Sequence, residues 1–307
     1  MGAAFSIGPG YEPQPINPAA RYDQVSGYYL DLRQKAAAEL RPRVTGRGQR
    51  MLPGPTAMAQ RALGRHEQWL AGDERALEQF LEEIALLRRS AEEDRNALLW
   101  RYDVDVPKFR QRAPFYSCMA QGQAASAFVR AFVATGEEAW ADAARAAIRP
   151  LVENGERLGL VTMTEAGPIL EEAATNPPSH VLNGWIFGLW GLWDAATSLG
   201  EADARHLFDG SCQALAQMLT NYDVGWWTRY SLFPPVAPDL AKPFYHALHA
   251  AQMPALYEMS GMDVFRSAAA RWSRYDRSRN RLRAVVLKAP AVLRGLRSES
   301  EWARSSN

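Results

Sequence analysis

The chain contains only two cysteines in 307 residues, Cys118 and Cys212. Both fall inside helical patterns, so buried free thiols are expected and a disulfide framework is not. Long apolar runs are also missing. The most apolar stretch, 181–193, is shorter than the roughly 20 residues a bilayer core requires. The N-terminus (MGAAFSIGPG) has no basic segment followed by an apolar one. No secretory leader is therefore expected, and a reducing cytoplasm is the default location. Met1-Gly2 with Ser6 does fit the loose pattern for N-myristoylation. The formal net charge is +1, which gives no bulk field for nucleic acid. There is no Gly-rich phosphate loop, no nucleophile elbow and no Cys/His zinc set. His246 and His249 have a spacing a metal can use, but no third ligand is evident. No metal and no cofactor are expected. Strand signals are sparse, and 160–170 is a short segment that reads as a small β-hairpin.

What the chain does have is a repeat. Gly72, Gly136 and Gly200 recur every 64 positions, and a looser copy places Gly261 another 61 on. Each glycine is followed by acidic residues and lies between two apolar stretches with helical patterning. After the glycine the pattern is a single stripe: Leu77, Phe80, Leu81, Ile84 and Leu87; Trp140, Ala144, Ile148 and Leu151; Phe208, Cys212, Leu215 and Leu219. Before it the chain is apolar on all sides, most clearly over 185–196, which marks a helix buried all round. Glycine supplies the left-handed cap that a Cβ opposes. Each unit therefore reads as a hairpin of a buried inner helix and an amphipathic outer helix. A lone hairpin cannot bury its inner face, so the four must stack. The linkers 88–116, 152–179 and 220–244 are too long for a plain solenoid and are rich in Trp, Tyr and Pro. The fold expected is all-α: an incomplete α/α toroid of four hairpins, with minor β-hairpin content in linkers that gather around a cleft.

The division expected is an N-terminal extension over 1–50, an α/α-barrel domain over 51–280 and a basic tail over 281–307. Residues 264–298 carry nine Arg and one Lys against one Asp. The stretch 283–297 mixes apolar and basic residues, which suits weak contact with a membrane surface.

Four segments depart from plain helix composition: 114–123, 171–184, 222–230 and 244–252. Each lies at or just before the mouth of an inner helix. In the second, Pro177-Pro178 holds the chain extended, Ser179 suits an N-cap, and Asn183 falls one turn in, facing the cleft.

These segments resemble the C-terminal catalytic domain of the D-glucuronyl C5-epimerase family. The matching pieces run in order: Tyr28-Tyr29-Leu30-Asp31-Leu32, Met58-Ala59-Gln60, Tyr116-Ser117-Cys118-Met119-Ala120-Gln121-Gly122-Gln123, Glu171-Glu172, Asn176-Pro177, Val181-Leu182-Asn183-Gly184, Trp227-Thr228 with Tyr230, and Tyr245-His246 with His249 and Gln252. The resemblance implies inversion at C5 of a hexuronic acid unit in a heparan- or heparosan-like polysaccharide, D-glucuronate becoming L-iduronate. Such a reaction needs a base on one face of the sugar, an acid on the other, and cations or strong donors for the developing charge. By resemblance Tyr230 and Tyr245 are the acid–base pair, with phenol pKa values lowered by nearby positive charge, and Glu172 is an acidic partner. Asn183, Tyr116, Gln121, Gln123, His246 and Arg229 are the substrate-binding candidates. The sequence departs from the family at Ala173, where a tyrosine is expected, and at Phe233, where an arginine is expected; Arg229 or His246 are the candidate replacements for that charge. The partner implied is an acidic polysaccharide or oligosaccharide, with a homodimer left open and no nucleic acid. Two other readings stay open: a glycan-binding protein on a degenerate epimerase fold, and a lyase that ends in β-elimination.

Overall fold

The structure, a computed structural model, describes residues 16–37, 43–44, 50–51, 53–234 and 238–288. The N-myristoylation pattern and most of the 283–297 stretch lie outside the described residues.

The repeat is realised as four helical hairpins. They are α2 (Pro55–Leu70) with α3 (Arg75–Arg89), α4 (Cys118–Thr135) with α5 (Glu138–Asn154), α6 (Leu182–Leu199) with α7 (Ala202–Met218), and α8 (Pro243–Ser260) with α9 (Asp263–Tyr275). A one-turn α1 (Arg33–Ala36) precedes them. Gly136, Gly200 and Gly261 close α4, α6 and α8 at φ of +72°, +70° and +69°. The Gly136 N–H donates to the Phe132 carbonyl at 2.8 Å. These caps explain why the spacing was legible: a left-handed residue is required at that point of every unit.

Inner and outer helices differ as their patterns demand. On α4 and α6 every residue of 118–131 and 182–195 is buried. On α3 only Ala76, Phe80, Ile84 and Leu87 are. The inner helices pack in chain order, α2 on α4, α4 on α6, α6 on α8. The α4–α6 contact is the tightest, because Gly122, Gly188 and Gly191 let the two backbones meet. A Cβ on Gly191 would lie 2.4 Å from the Gly122 Cα.

The segment expected as an N-terminal extension belongs to this core. Tyr28, Tyr29, Leu30 and Leu32 are buried among the inner helices. Arg130 and Asp194 form a fully buried ion pair at 2.7 Å across α4 and α6. Tyr29 donates its hydroxyl to Asp194, and Arg130 donates to the Gly27 carbonyl at 3.2 Å. Glu67 accepts the Tyr28 N–H at 2.5 Å, and burial raises its carboxyl to about 7. A buried charge keeps its place only when paired and hydrogen-bonded, so this network fixes the 16–32 segment onto α2, α4 and α6.

Among the described residues, three antiparallel two-stranded ladders decorate the helices: β1 (Arg43–Val44) with β2 (Arg50–Met51), β3 (Glu92–Asp94) with β4 (Ala97–Leu99), and β5 (Val161–Thr164) with β6 (Gly167–Leu170). The last is the hairpin expected over 160–170. The β3–β4 hairpin escaped prediction because its two-residue turn is Arg95-Asn96, at φ of 47° and 66°; the glycine that usually announces such a turn is absent.

The division at 280/281 cuts a helix. Residues 278–288 are helical. Ala284 packs with Trp227 and Leu240, and Arg283 lies 4.0 Å from the Trp226 ring centroid. The outer face leaves Leu282, Val285, Val286 and Leu287 exposed.

Candidate active site

The linkers are strapped across the N-termini of the inner helices by backbone hydrogen bonds. Cys118 N–H donates to Glu171 O at 3.0 Å, Leu182 to Tyr230 O at 3.1 Å, and Leu232 to Ser179 O at 3.0 Å. Three of the four unusual segments thus meet at the start of α4 and α6. Val181 holds the N-cap of α6, not Ser179 as its side chain suggested. The Ser179 carbonyl instead serves the strap, and Asn183 becomes the second residue of the helix. Glu171 and His180 lock the strap: the His180 N–H reaches Glu171 at 3.0 Å and its Nδ1 at 2.5 Å, with His180 at φ +46°.

Glu172, Tyr230 and Tyr245 form one connected group. Glu172 is 1% exposed, held against α6 where Gly184 has no side chain. A Cβ there would sit 2.2 Å from the Glu172 Oε2. Tyr230 hydrogen-bonds both Glu172 and Tyr245, and the two phenol rings meet edge to face with centroids 4.7 Å apart. Burial raises the Glu172 carboxyl to about 8, against the pull of Lys108 and of the Tyr230 hydrogen bond; Glu171 adds to the rise. Near neutral pH this carboxyl therefore holds a proton that an ordinary glutamate has lost.

The tyrosines contradict one expectation. Both phenols are raised, first by burial and then by the Glu172 charge. Desolvation outweighs the neighbouring cations. The two phenol rings also lie against each other, centroids 4.7 Å apart, rather than face one another across a gap.

The other candidates separate. Gln123 faces inward, its Oε1 accepting from Gln60 at 3.4 Å. Gln121 spends its amide donor on the carbonyls of Leu98 at 2.8 Å and Ala147 at 2.6 Å, tying α4 to its surroundings. Tyr116 is half-buried, and its hydroxyl donates to Glu92 at 3.4 Å. Arg229 is half-buried between buried Thr228 and Tyr230, and its Nε is buried without a partner among the described residues.

His246 stacks on Trp227 with centroids 3.7 Å apart. Its Nε2 lies 3.1 Å from the Trp272 carbonyl, so Nε2 carries a proton. Burial lowers the ring to about 4, so it is neutral and Nδ1 is an acceptor. The Thr228 hydroxyl at 2.9 Å must then donate to it. His249 Nδ1, at 3.1 Å from the same oxygen, must in turn be the donor. That leaves His249 Nε2 with a free lone pair, buried and without a partner. The histidine pair is thus bridged by a threonine. Among the described residues no group of three His, Cys, Asp or Glu side chains could hold a metal.

The pattern that defines the D-glucuronyl C5-epimerase C-terminus family matches residues 93–274, more than half of the chain. The chain belongs to this family. It is 30% identical over 176 residues to the D-glucuronyl C5-epimerase of Caenorhabditis elegans, covering 52% of this chain and 29% of that protein. Uncharacterized protein MJ1128 of Methanocaldococcus jannaschii is 25% identical over 179 residues, 57% of each chain. The chain thus matches less than two thirds of the length of either relative. Among solved structures, a D-mannose isomerase aligns with a TM-score of 0.50 and 14% identity, over 80% of this chain and 65% of that one. That likeness concerns the fold alone.

Within this family member, the two departures have plain structural settings. Ala173 is buried at 1% exposure, beside Glu172. Phe233 packs edge to face on Phe109, centroids 5.5 Å apart. Phe109 in turn lies parallel to Tyr230 at 6.4 Å, on a single 3-10 turn, Pro107–Phe109. Lys108 of that turn, Asp239 and Lys288 all reach the Tyr230 region. Nothing in the sequence marked them, since each comes from a linker or tail without periodicity.

Proposed function

We propose that this protein is a uronic-acid C5-epimerase-like enzyme acting on an acidic glycan, converting D-glucuronate to L-iduronate or its close equivalent. The row of inner helices is read as an incomplete α/α toroid with its substrate cleft at their N-termini. The observation that supports this most directly is the unbroken chain Glu172–Tyr230–Tyr245, with a carboxyl raised to about 8 at one end. Near neutral pH such a group both takes and returns protons. The C5 proton, α to the sugar carboxylate, passes to the fraction of Glu172 that is ionised, which a carboxyl titrating near 8 retains at neutral pH, and the C5 electron pair moves onto the sugar carboxylate. A proton from the other end then enters the opposite face, restoring C5 with inverted configuration. Tyr230 relays between the ends. Buried polar atoms without partners, Asn183 Oδ1, Gln252 Oε1 and Gln123 Nε2, are suited to sugar hydroxyls. Gln60 joins them through Gln123.

The test is proton exchange. The protein incubated in D₂O with glucuronate-containing polymers incorporates deuterium at C5, and Tyr245→Phe slows this by about 10²-fold or more. No incorporation with any such polymer overturns the reading. Growth of ultraviolet absorbance from an unsaturated uronate would identify a lyase instead. The buried Ala173 and the Phe109–Phe233 contact favour a second reading, a non-catalytic glycan-binding protein; saturable binding of an acidic oligosaccharide, unaffected by Tyr245→Phe and without exchange, would establish it.

A further inference from the structure

One feature of the site is not balanced in charge. Asp239 accepts from two lysines: Lys108 Nζ at 2.7 Å on Oδ2 and Lys288 Nζ at 3.2 Å on Oδ1. Ser231 donates to the same carboxylate at 2.7 Å, and Lys288 also donates to the Leu240 carbonyl. Asp239 and Lys288 side chains are only 10% and 15% exposed, while Lys108 is 46% exposed. The two ammonium groups hold the Asp239 carboxyl below its ordinary range against the effect of burial. Among the described residues, two ammonium groups, one largely buried and one half-exposed, therefore meet one largely buried carboxylate. Lys242 acts on Lys288 with the same sign, and Glu172 holds its proton near pH 7, so among the described residues neither supplies a second anion. The surplus is placed over the reacting group. Lys108 Nζ lies 4.4 Å and Lys288 Nζ 5.9 Å from the Tyr230 ring centroid. Among charged groups, Lys108 acts most strongly on Glu172.

We propose that Lys108 receives the carboxylate of the bound sugar, with Asp239 and Lys288 as positioning residues that hold its ammonium beside Tyr230. The proposal rests on the uronate reading above and deepens it. Half-exposed Lys108, one of two ammonium groups on a single buried carboxylate, favours an anionic ligand, because such a ligand balances the surplus charge. The same cation stabilises the charge that accumulates on the carboxylate when the C5 proton leaves. It fills the role for which Phe233 has no chemistry, and it comes from a different linker. Lys288 belongs to helix 278–288, so part of the region expected as a tail is built into the site.

The experiment compares two probes on purified full-length protein: an oligosaccharide containing glucuronate and the same oligosaccharide with its carboxyl groups reduced to alcohols. Wild type binds the first better than the second. Lys108→Met weakens the acidic probe by about tenfold or more and leaves the reduced probe unchanged, while Lys108→Arg keeps most of the preference. Lys288→Met lowers the same preference by a smaller factor, with Lys288→Arg restoring part of it. Lys108 is half-exposed on a turn, and an unchanged melting temperature confirms the fold of its variants. Equal binding of the two probes by wild type, or equal losses on both in Lys108→Met, overturns the proposal. The two readings fail separately. Carboxylate-dependent binding lost in Lys108→Met without C5 exchange in wild type keeps this site and removes the epimerase. Exchange that Lys108→Met leaves at the wild-type rate, with unchanged probe preference, does the reverse.

Discussion

Gly184 shows how much a single missing side chain can hold in place. The carboxyl of Glu172 occupies the space a Cβ would fill, with Oε2 2.2 Å, Cβ 2.7 Å and Cδ 2.9 Å from that point. The whole Glu172 side chain, not just its tip, must shift if Gly184 becomes Ala. The Tyr230 hydroxyl then loses its acceptor. Gly184→Ala is expected to slow C5 exchange by about 10²-fold or more, while overpacking costs about 1–3 kcal/mol of stability. Exchange rates and melting temperature, measured together, check it. A variant that exchanges at the wild-type rate refutes the placement of Glu172. At this scale the sequence was readable where residues carry the family pattern in order: Glu172, Tyr230 and Tyr245 are near one another, and Asn183 precedes the Gly184 against which Glu172 packs. It misled where a polar residue spends its hydrogen bonds on backbone. Gln121 bonds two carbonyls and His246 is walled in by Trp227, Thr228 and Trp272. A side chain's type and position do not say which neighbour satisfies it.

Among the elements, α4 and α6 carry the closest contact, and its cause is local. A Cβ on Gly191 meets the Gly122 backbone, Cα and O both at 2.4 Å. Backbone atoms cannot swing aside as a flexible side chain can, so the helices must separate. Gly191→Ala is expected to destabilise by about 1–3 kcal/mol, even though alanine is the better helix former. Gly210, on α7, is the control. A Cβ there would touch only Pro168, at 3.5 Å, an ordinary contact. Gly210→Ala should stabilise by about 0.5–1 kcal/mol. Denaturant melts of the two variants decide; a Gly191→Ala protein as stable as wild type would show that the helices do not meet there. The hairpins themselves were legible because period, cap and apolar stripe all agree on the same boundaries. The linkers were not. The Pro107–Phe109 turn, the β3–β4 hairpin and the strap at 222–232 are set by tertiary hydrogen bonds that leave no periodic signal. Those unpatterned elements supply Lys108 and aim Tyr230, so the finest part of the site is the part the sequence states least.

Across the whole molecule, buried titratable groups of opposite kinds set how stability should depend on pH. His66 and His246 are lowered to about 3 and about 4, and His249 also lies well below its ordinary value, in each case chiefly by burial. Their folded pKa values lie below the unfolded value of 6.5, so the unfolded chain binds more protons below that pH. Stability from these groups rises with pH up to 6.5 and is then complete. Glu67 and Glu172 work the other way. The unfolded carboxyls ionise near 4.5, while the folded ones hold their protons to about 7 and about 8. Stability from these two falls as pH rises through that window. The groups that face Glu172 are Lys108, which limits the rise, and Glu171, which adds to it; Arg130 and Asn17 limit the rise of Glu67 while Asp31 adds to it. Below 6.5 three histidines oppose two carboxyls; above it only the carboxyls act. The melting temperature is therefore expected to peak near pH 6.5 and to decline toward pH 8. The expected slope is on the order of 1 kcal/mol per pH unit for each carboxyl still in its window. Lys35, lowered to about 8 by burial, acts in the opposite direction: its folded form loses the proton before the unfolded chain does, so its contribution to stability rises above about pH 8. Glu172→Gln keeps the shape and removes the titration, so it should flatten the curve between pH 7 and 8 and steepen the rise below 6.5. Thermal melts across pH 5–8.5 measure both arms, and a wild-type protein that grows more stable from pH 6.5 to 8 would show that Glu172 is ionised in the folded state, removing the near-neutral carboxyl on which the proton chemistry depends.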